Sequence, residues 1–444
     1  MRVHMIMLER MGTIVEINRI LVDGFKNISN VNLELNKITS LLSINSYGKS
    51  NLLEGINFGF NFILELPKLK EAMMSWENGF PLLKNSLNKN YIFEIEFSTK
   101  LNDNSVDVIY GYEFKWGNSK KNSQIVKENL KIKEIEASQK YTLYLDRDQN
   151  NALYKPSISG RCDKEILIDS NELLINKLKA YDNLYYLDII KIINNFNVYI
   201  EKHFDSYDLY SFRSFIRKGE SELSPFHDKR SIARVLYFLK KENKKQYDLI
   251  INTLQDLFPF IEKVQIKEIN LTNVRIKSNI TEEDPYELAE NEYVLYAYHK
   301  NLVKPVSFSE MSDGVRRILL TLTYISLSEI YNIPLIAIEE PENSINPGLL
   351  RKYLIALDSF AEKAKIIITS HSPFLINYID ISNLYLGVPN SNGNAIFRKI
   401  KKSAVNKVLD SADEMDMLTG EYLFDLMSGS DDDIEYLAKY LENE

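Results

Sequence analysis

The chain has 444 residues, a formal net charge of −8 and 45% hydrophobic residues, the profile of an ordinary globular protein with room for two or three domains. A single cysteine, Cys162, excludes an internal disulfide and a thiolate metal site, and it fits a reducing cytosol. No apolar run reaches the roughly 18 residues of a spanning helix, and the acidic balance argues against non-specific coating of nucleic acid.

The first 20 residues lack an apolar core with a small-residue cleavage site, so no secretion signal is read and a cytoplasmic location is expected. Residues 13–40 read as two strands and a turn: IVEINRILVDGF is rich in β-branched residues, and NVNLELN alternates over Val31, Leu33 and Leu35. The apolar run ITSLLSI then leads into SINSYGKS, Ser43–Ser50. Gly48, Lys49 and Ser50 complete the second half of a phosphate-binding loop, G-x-x-x-x-G-K-[ST], but Ser43 fills the place of the first glycine. Beyond Ser50 the period turns helical, with Leu52, Leu53, Ile56 and Phe60 on one side. A strand-loop-helix context is what such a loop needs, because backbone N–H groups at a helix N-terminus receive the phosphates. The lysine adds charge, and the serine hydroxyl offers a ligand to Mg²⁺.

Residues 90–155 read as an antiparallel meander. In YIFEIEF, Tyr91, Phe93, Ile95 and Phe97 face one way and Glu94 and Glu96 the other. Helices are expected to dominate 170–258. The strongest signal is SIARVLYFLKKENKKQYDLIINTLQDLF, where Leu236, Leu239, Ile250, Leu254 and Leu257 recur at helical spacing before Pro259. Its basic run, Lys240–Lys245, and a second at Arg398–Lys402 read as solvated surfaces. Strands return at VQIKEINL and YVLYAYHK. Helix and strand then alternate over 309–444, as in a parallel α/β sheet. No internal repeat or flexible linker interrupts the chain, and the helical middle is too short and irregular for a coiled-coil arm. The expected domains are therefore an N-terminal lobe over 1–165, a helical insertion or lid over 166–260, and a C-terminal lobe over 261–444.

Three further motifs accompany the loop. In IPLIAIEEPENSINP a short apolar strand ends in the paired acids Glu339 and Glu340, placed to support a metal and to orient an attacking water. In IIITSHSPFLIN another apolar strand ends in Ser370 and His371, a group able to bond a terminal phosphate. In SFSEMSDGVRRILL, Ser312 and Gly314 precede an apolar helix whose N-terminus is a second anion site. Each has an ordinary explanation alone: an N-cap, a strand ending in acids, a lone histidine. Their order and spacing carry the weight, with 340 − 312 = 28 and 371 − 340 = 31 residues between the key positions.

In that order the motifs resemble the SMC-like branch of ABC-type ATPases. The branch includes chromosome-structure and recombination-repair ATPases, OLD-type ATPases and the short ATPases of bacterial anti-phage systems such as PARIS and Septu. The resemblance covers about 13–65 and 305–427, including MSDGVRR as signature, with Arg317 at a recurring arginine, and MLTGEYLFDLM as a tail segment. It implies an α/β fold: an ABC-type P-loop ATPase head with an antiparallel β lobe and a helical insertion. It further implies that Asn45, Ser46, Gly48, Lys49, Ser50 and Asn51 bind ATP, that Ser50 and Glu339 hold Mg²⁺, that Glu340 and His371 are catalytic, and that Ser312 and Gly314 meet the γ-phosphate bound to a second copy. Lys26 would be a basic position aimed at the phosphates. The chain departs from the pattern at Ser43, at Ser46, and at Asn346, where short relatives carry histidine.

The resemblance implies an ATP-sandwich homodimer, alone or within a larger symmetric assembly. Between Lys49 and Ser312 lie 312 − 49 = 263 residues, which disfavours a transporter subunit. Only 444 − 371 = 73 residues follow the histidine, too few for a TOPRIM nuclease, and no HNH-type metal site is read. An effector is therefore expected on a separate protein encoded nearby. Three functions stay open: a defence ATPase controlling a nuclease or toxin, a stand-alone SMC-like DNA-maintenance ATPase in contact with DNA, and a nucleotide-binding scaffold without hydrolysis.

Overall fold

A computed structural model describes residues 14–84, 86–117, 123–136, 140–201, 215–217, 232–271, 286–288, 291–388 and 393–442. Most of the segment read for a secretion signal, and residues 202–214 and 218–231 of the expected helical middle, lie outside the described residues. The chain divides into two compact units. One comprises Gly12–Lys202, Asn332–Glu340 and Lys363–Glu444; the other comprises His203–Tyr331 and Pro341–Glu362.

Period-two alternation builds the larger sheet of the first unit. Its strands lie in the order Val31–Glu34, Glu16–Asp23, Tyr91–Leu101, Asn104–Lys115, Gln124–Glu134, Thr142–Asp148, Asn151–Tyr154 and Lys164–Ile166, every neighbour antiparallel. Tyr91, Phe93, Ile95 and Phe97 are buried as the alternation requires. Glu94 and Glu96 take the other face, where Glu96 accepts from Arg19 Nε at 3.1 Å. The helix Lys49–Leu64 packs its aromatic side on this sheet, with Phe62 centred 4.9 Å from Phe114 and Phe60 5.1 Å from Phe93. Aromatic pairs at these separations add to the burial term.

A buried polar network ties the following segment to the same sheet. Glu128 accepts from Tyr110 Oη at 3.0 Å and from the N–H groups of Leu174 and Ile175 at 2.6 and 2.8 Å. Burial raises its pKa against these hydrogen bonds. Lys70 is fully buried and donates to the carbonyls of Ile63 and Glu65 at the end of the Lys49–Leu64 helix. Burial lowers its pKa to about 8.

The second sheet of this unit is the parallel one. Its order is Val198–Glu201, Leu335–Glu339, Lys365–Ser370, Ile38–Ser43, Leu384–Gly387 and Phe397–Lys399. All neighbours are parallel except the last pair, a hairpin. Its central strands are continuous apolar runs because both faces are covered.

The other unit holds the helices Ile232–Glu242, Lys244–Leu257, Asp313–Tyr331 and Pro347–Phe360 and the antiparallel strands Ile261–Asn270, Asn291–His299 and Val306–Ser307.

The two-strand start, the meander and the strands after 260 stand where the sequence pattern predicts them. Three details differ. The long periodic segment after 231 is two helices, because Asn243 stops the first and caps the second, its Oδ1 accepting from Gln246 N at 3.3 Å. The middle region also contributes a strand, Val198–Glu201, which pairs in parallel with Leu335–Glu339. The helix–strand alternation after 309 ends at Gly387. A hairpin strand and three helices, Val405–Glu414, Thr419–Ser428 and Asp431–Tyr440, follow it. Among the described residues no helix is long and apolar enough to cross a membrane.

Candidate nucleotide site

Three parallel strands end together. Register pairs Glu339 with Thr369, Thr369 with Leu41 and Ser370 with Leu42. The histidine strand therefore lies between the acid strand and the strand that enters the loop. Ligands of open α/β sheets bind at such carboxyl ends.

The loop turns through two left-handed residues, Ser46 at φ 62° and Gly48 at φ 123°, the kind of backbone reversal that forms anion nests. At Gly48 a Cβ would lie 2.8 Å from that of Ala395 and 3.1 Å from the Asn27 amide, so only glycine fits. Lys49 is buried, and its amine donates to Ser43 O at 2.9 Å, to Ser43 Oγ at 3.2 Å and to Ile44 O at 3.3 Å. The Ser43 hydroxyl donates in turn to Ile44 O at 3.1 Å. The serine in the glycine position is thus an added anchor for the loop lysine.

One of the paired acids touches this loop, and the other pairs with the histidine. Ser50 Oγ donates to Glu339 Oε1. His371 Nδ1 lies 2.8 Å from Glu340 Oε1, and the Glu340 N–H donates to Thr369 O at 2.9 Å. Glu340 has φ 48°, a conformation that costs a non-glycine residue free energy and that the surrounding structure holds in place.

Other predicted residues have structural partners. Asn51 Nδ2 donates to Asn27 Oδ1 at 2.8 Å. Lys26, read as aimed at the phosphates, pairs with Glu54 at 3.0 Å. Asn45 and Ser46 are exposed at the crest of the loop. Ser312 and Gly314 belong to the other compact unit. There a Cβ at Gly314 would meet Ser344 O at 2.4 Å, and Arg317 donates to Asp313 Oδ2 at 2.9 Å. Asn346 caps the helix Pro347–Phe360, its Oδ1 accepting from Gly348 N at 2.9 Å.

Sequence reading missed Asn27 and Tyr47. Asn27 Nδ2 donates to Tyr47 O at 3.1 Å, and the Tyr47 ring is buried against Phe397. Both contacts are tertiary, so no local pattern announces them.

Comparison with known families decides the assignment. Residues 44–377, about three quarters of the chain, match the family described as "AAA domain, putative AbiEii toxin, Type IV TA system". The chain belongs to this AAA-domain family. The match begins at Ile44, inside the loop, and runs past His371, so it takes in all four motifs except Ser43. No curated protein matches the sequence. Among solved structures, the SMC head bound to the C-winged helix domain of ScpA is 12% identical, with a TM-score of 0.46, covering 88% of this chain and 99% of that one. An SMC head with an extended coiled coil, bound to the C-terminal domain of ScpA derived from Pyrococcus furiosus, is also 12% identical, with a TM-score of 0.46 and coverage of 90% and 100%. The recombination mediator RecF is 13% identical, with a TM-score of 0.37 and coverage of 87% and 99%.

The AAA-domain family implies a nucleotide and Mg²⁺, and the donor set fits them. A serine hydroxyl and a carboxylate in mutual contact are hard oxygen donors suited to Mg²⁺, which takes most of its shell from phosphate and water. The buried Lys49 amine supplies fixed positive charge next to a helix N-terminus.

Proposed function

We propose that this chain binds and hydrolyses Mg–ATP and acts as a nucleotide-gated homodimer that controls a separate effector in anti-phage defence. The observation that carries the catalytic part is the pair Glu340–His371, hydrogen-bonded at 2.8 Å at the sheet end where Ser50 touches Glu339.

Lys49 and the loop backbone would bind the phosphates. Ser50 and Glu339 would hold Mg²⁺, which when bound neutralises phosphate charge and polarises the terminal phosphate. Glu340 would orient the attacking water and accept its proton. His371, bonded through Nδ1, fixes the Glu340 carboxylate and leaves Nε2 for a phosphate oxygen. Ser312 and Gly314 would complete the site of a second copy. A family described by a toxin of a toxin–antitoxin system supports the view that the switch governs a harmful outcome.

Hydrolysis by the purified chain, and its loss in Glu340→Gln together with ATP-dependent dimer mass in that variant, are the expected results. Absence of both hydrolysis and nucleotide-dependent dimerisation would overturn the reading and leave a scaffold. In infected cells, co-expression with the neighbouring gene is expected to protect, and Lys49→Ala to abolish protection. Equal protection by Lys49→Ala would remove the nucleotide gate.

A further inference from the structure

The loop residue that precedes Gly48 is a buried tyrosine, and the nucleotide reading assigns it no role. The Tyr47 hydroxyl reaches across to the hairpin formed by Leu384–Gly387 and Phe397–Lys399. It accepts from Ile396 N at 3.3 Å and has two carbonyl acceptors within reach, Val388 O and Asn394 O, the latter at 3.1 Å. Its ring packs edge-on against Phe397, with centroids 5.8 Å apart. The space for that ring exists because residue 387 is glycine: a Cβ there would lie 2.6 Å from Tyr47 Cδ1.

The same stretch of hairpin is tied to the turn behind the loop. Ala395 N donates to Asn27 O at 2.8 Å and Ser29 N to Ala395 O at 3.3 Å. Asn27 then holds Tyr47 O and Asn51 through its amide. Gly48 is enclosed between Ala395 and Asn27. The strand Phe397–Lys399 is fastened at its far end to the C-terminal residues, with Glu442 N donating to Lys399 O at 2.9 Å and Lys401 N to Tyr440 O at 2.8 Å. A continuous hydrogen-bonded path therefore runs from the C-terminal segment through the hairpin to the loop.

We propose that Tyr47 is a positioning residue for nucleotide binding, a peg through which the hairpin holds the phosphate loop in its binding shape. Pre-organisation lowers the ordering cost that a ligand otherwise meets. A loop without its first glycine, and with serine at an inner position, takes its shape from such a peg. The inference rests on the nucleotide reading.

The test is the binding of a fluorescent ATP analogue with Mg²⁺ to the full chain, alongside unfolding without nucleotide. Tyr47→Phe keeps the ring and removes the hydroxyl. Its Kd is expected to rise about tenfold, the loss of hydrogen bonds to buried backbone groups. Asn27→Ala cuts the opposite tie and is expected to raise Kd as well. Tyr385→Phe is the comparison: its hydroxyl accepts from Glu34 N at 2.7 Å on the same hairpin, away from the loop. It should lower the Tm as much as Tyr47→Phe while leaving Kd unchanged. Unaltered Kd in Tyr47→Phe, or an equal rise in Tyr385→Phe, would overturn the inference. Failure of the unaltered chain to bind the analogue, or binding by Lys49→Ala as tight as that of the unaltered chain, would overturn the nucleotide reading and this inference with it.

Discussion

Ser43 and Gly387 sit opposite each other on adjacent parallel strands, and a Cβ on Gly387 would lie 2.8 Å from that of Ser43. The side chain gained at the start of the loop is matched by one absent from its neighbour. Gly387→Ala is therefore expected to overpack this corner and cost about 1–3 kcal/mol in urea unfolding, and to weaken Mg–ATP binding. Ser43→Gly restores the usual loop residue but removes one acceptor from Lys49. It should leave Mg–ATP binding within about threefold, because the Ser43 and Ile44 carbonyls still hold the amine. A loss of binding in Ser43→Gly would show that the hydroxyl is essential.

The Glu340–His371 contact gives a second expectation. Glu340→Gln should lower single-turnover hydrolysis by about 10²–10⁴-fold, the range of a positioned general base. His371→Ala leaves the carboxylate in place but removes its contact with Nδ1, and a loss of about 10²-fold is expected from misplacement. Rapid quench with radiolabelled ATP separates these from effects on binding. If His371→Ala hydrolyses at the unaltered rate, the histidine does not position Glu340.

Much of this site is legible in the sequence, and the rest is hidden for physical reasons. The strand-loop-helix, the meander and the two strands ending in acids and histidine follow from periodicity, which a single chain displays. Val198–Glu201 is four residues long, too short to show a period, and becomes a strand only by pairing with Leu335–Glu339. Leu239 and Tyr247 keep helical phase across the polar stretch Lys240–Gln246, so Asn243 reads as one more solvent-facing position of a single helix and not as a cap between two. Asn346 looks like a lost histidine in the motif. In the structure it is a helix cap, since its neighbour Pro347 occupies the first turn. The Ser43–Gly387 match spans more than 300 positions and has no local trace.

The antiparallel lobe sets an alkaline limit on stability. Burial holds the hydroxyls of Tyr91, Tyr110 and Tyr112 well above their ordinary value of 10.0. Below pH 10 they are neutral in both states and stability is unaffected. As pH rises past 10, the unfolded chain releases protons that the folded chain keeps, so stability falls by about 1.4 kcal/mol per tyrosine per pH unit. Lys70 has the opposite sign: with a folded pKa of about 8, the folded state loses its proton first, and stability rises from about pH 8 toward the unfolded lysine value. Chemical unfolding from pH 7 to 11 should rise and then turn downward. Lys70→Met should flatten the rising limb, and Tyr112→Phe should shallow the falling one. A curve that continues upward past pH 10.5 would contradict the tyrosine burial.

Asn346→Ala should cost about 1 kcal/mol through loss of the helix cap, and Asn346→Asp should cost little because its carboxylate still accepts from Gly348 N. Both are read by urea unfolding. No loss in Asn346→Ala would mean that the cap contributes nothing beyond the favoured Pro347 start.

The dimer reading makes its own expectation. If Ser312 and Gly314 serve the nucleotide of a second copy, Lys49→Ala and Ser312→Arg chains are each inactive alone but complement one another. Mixed at equal concentration, half of the dimers are heterodimers. Each heterodimer joins one intact loop to one intact signature, which restores about a quarter of all sites. The Ser312→Arg chain must retain its Tm, since the neighbouring Asp313 is held by Arg316 and Arg317. Hydrolysis in the mixture above the sum of the separate chains is the expected result. A mixture no more active than its parts would place Ser312 outside the partner's site.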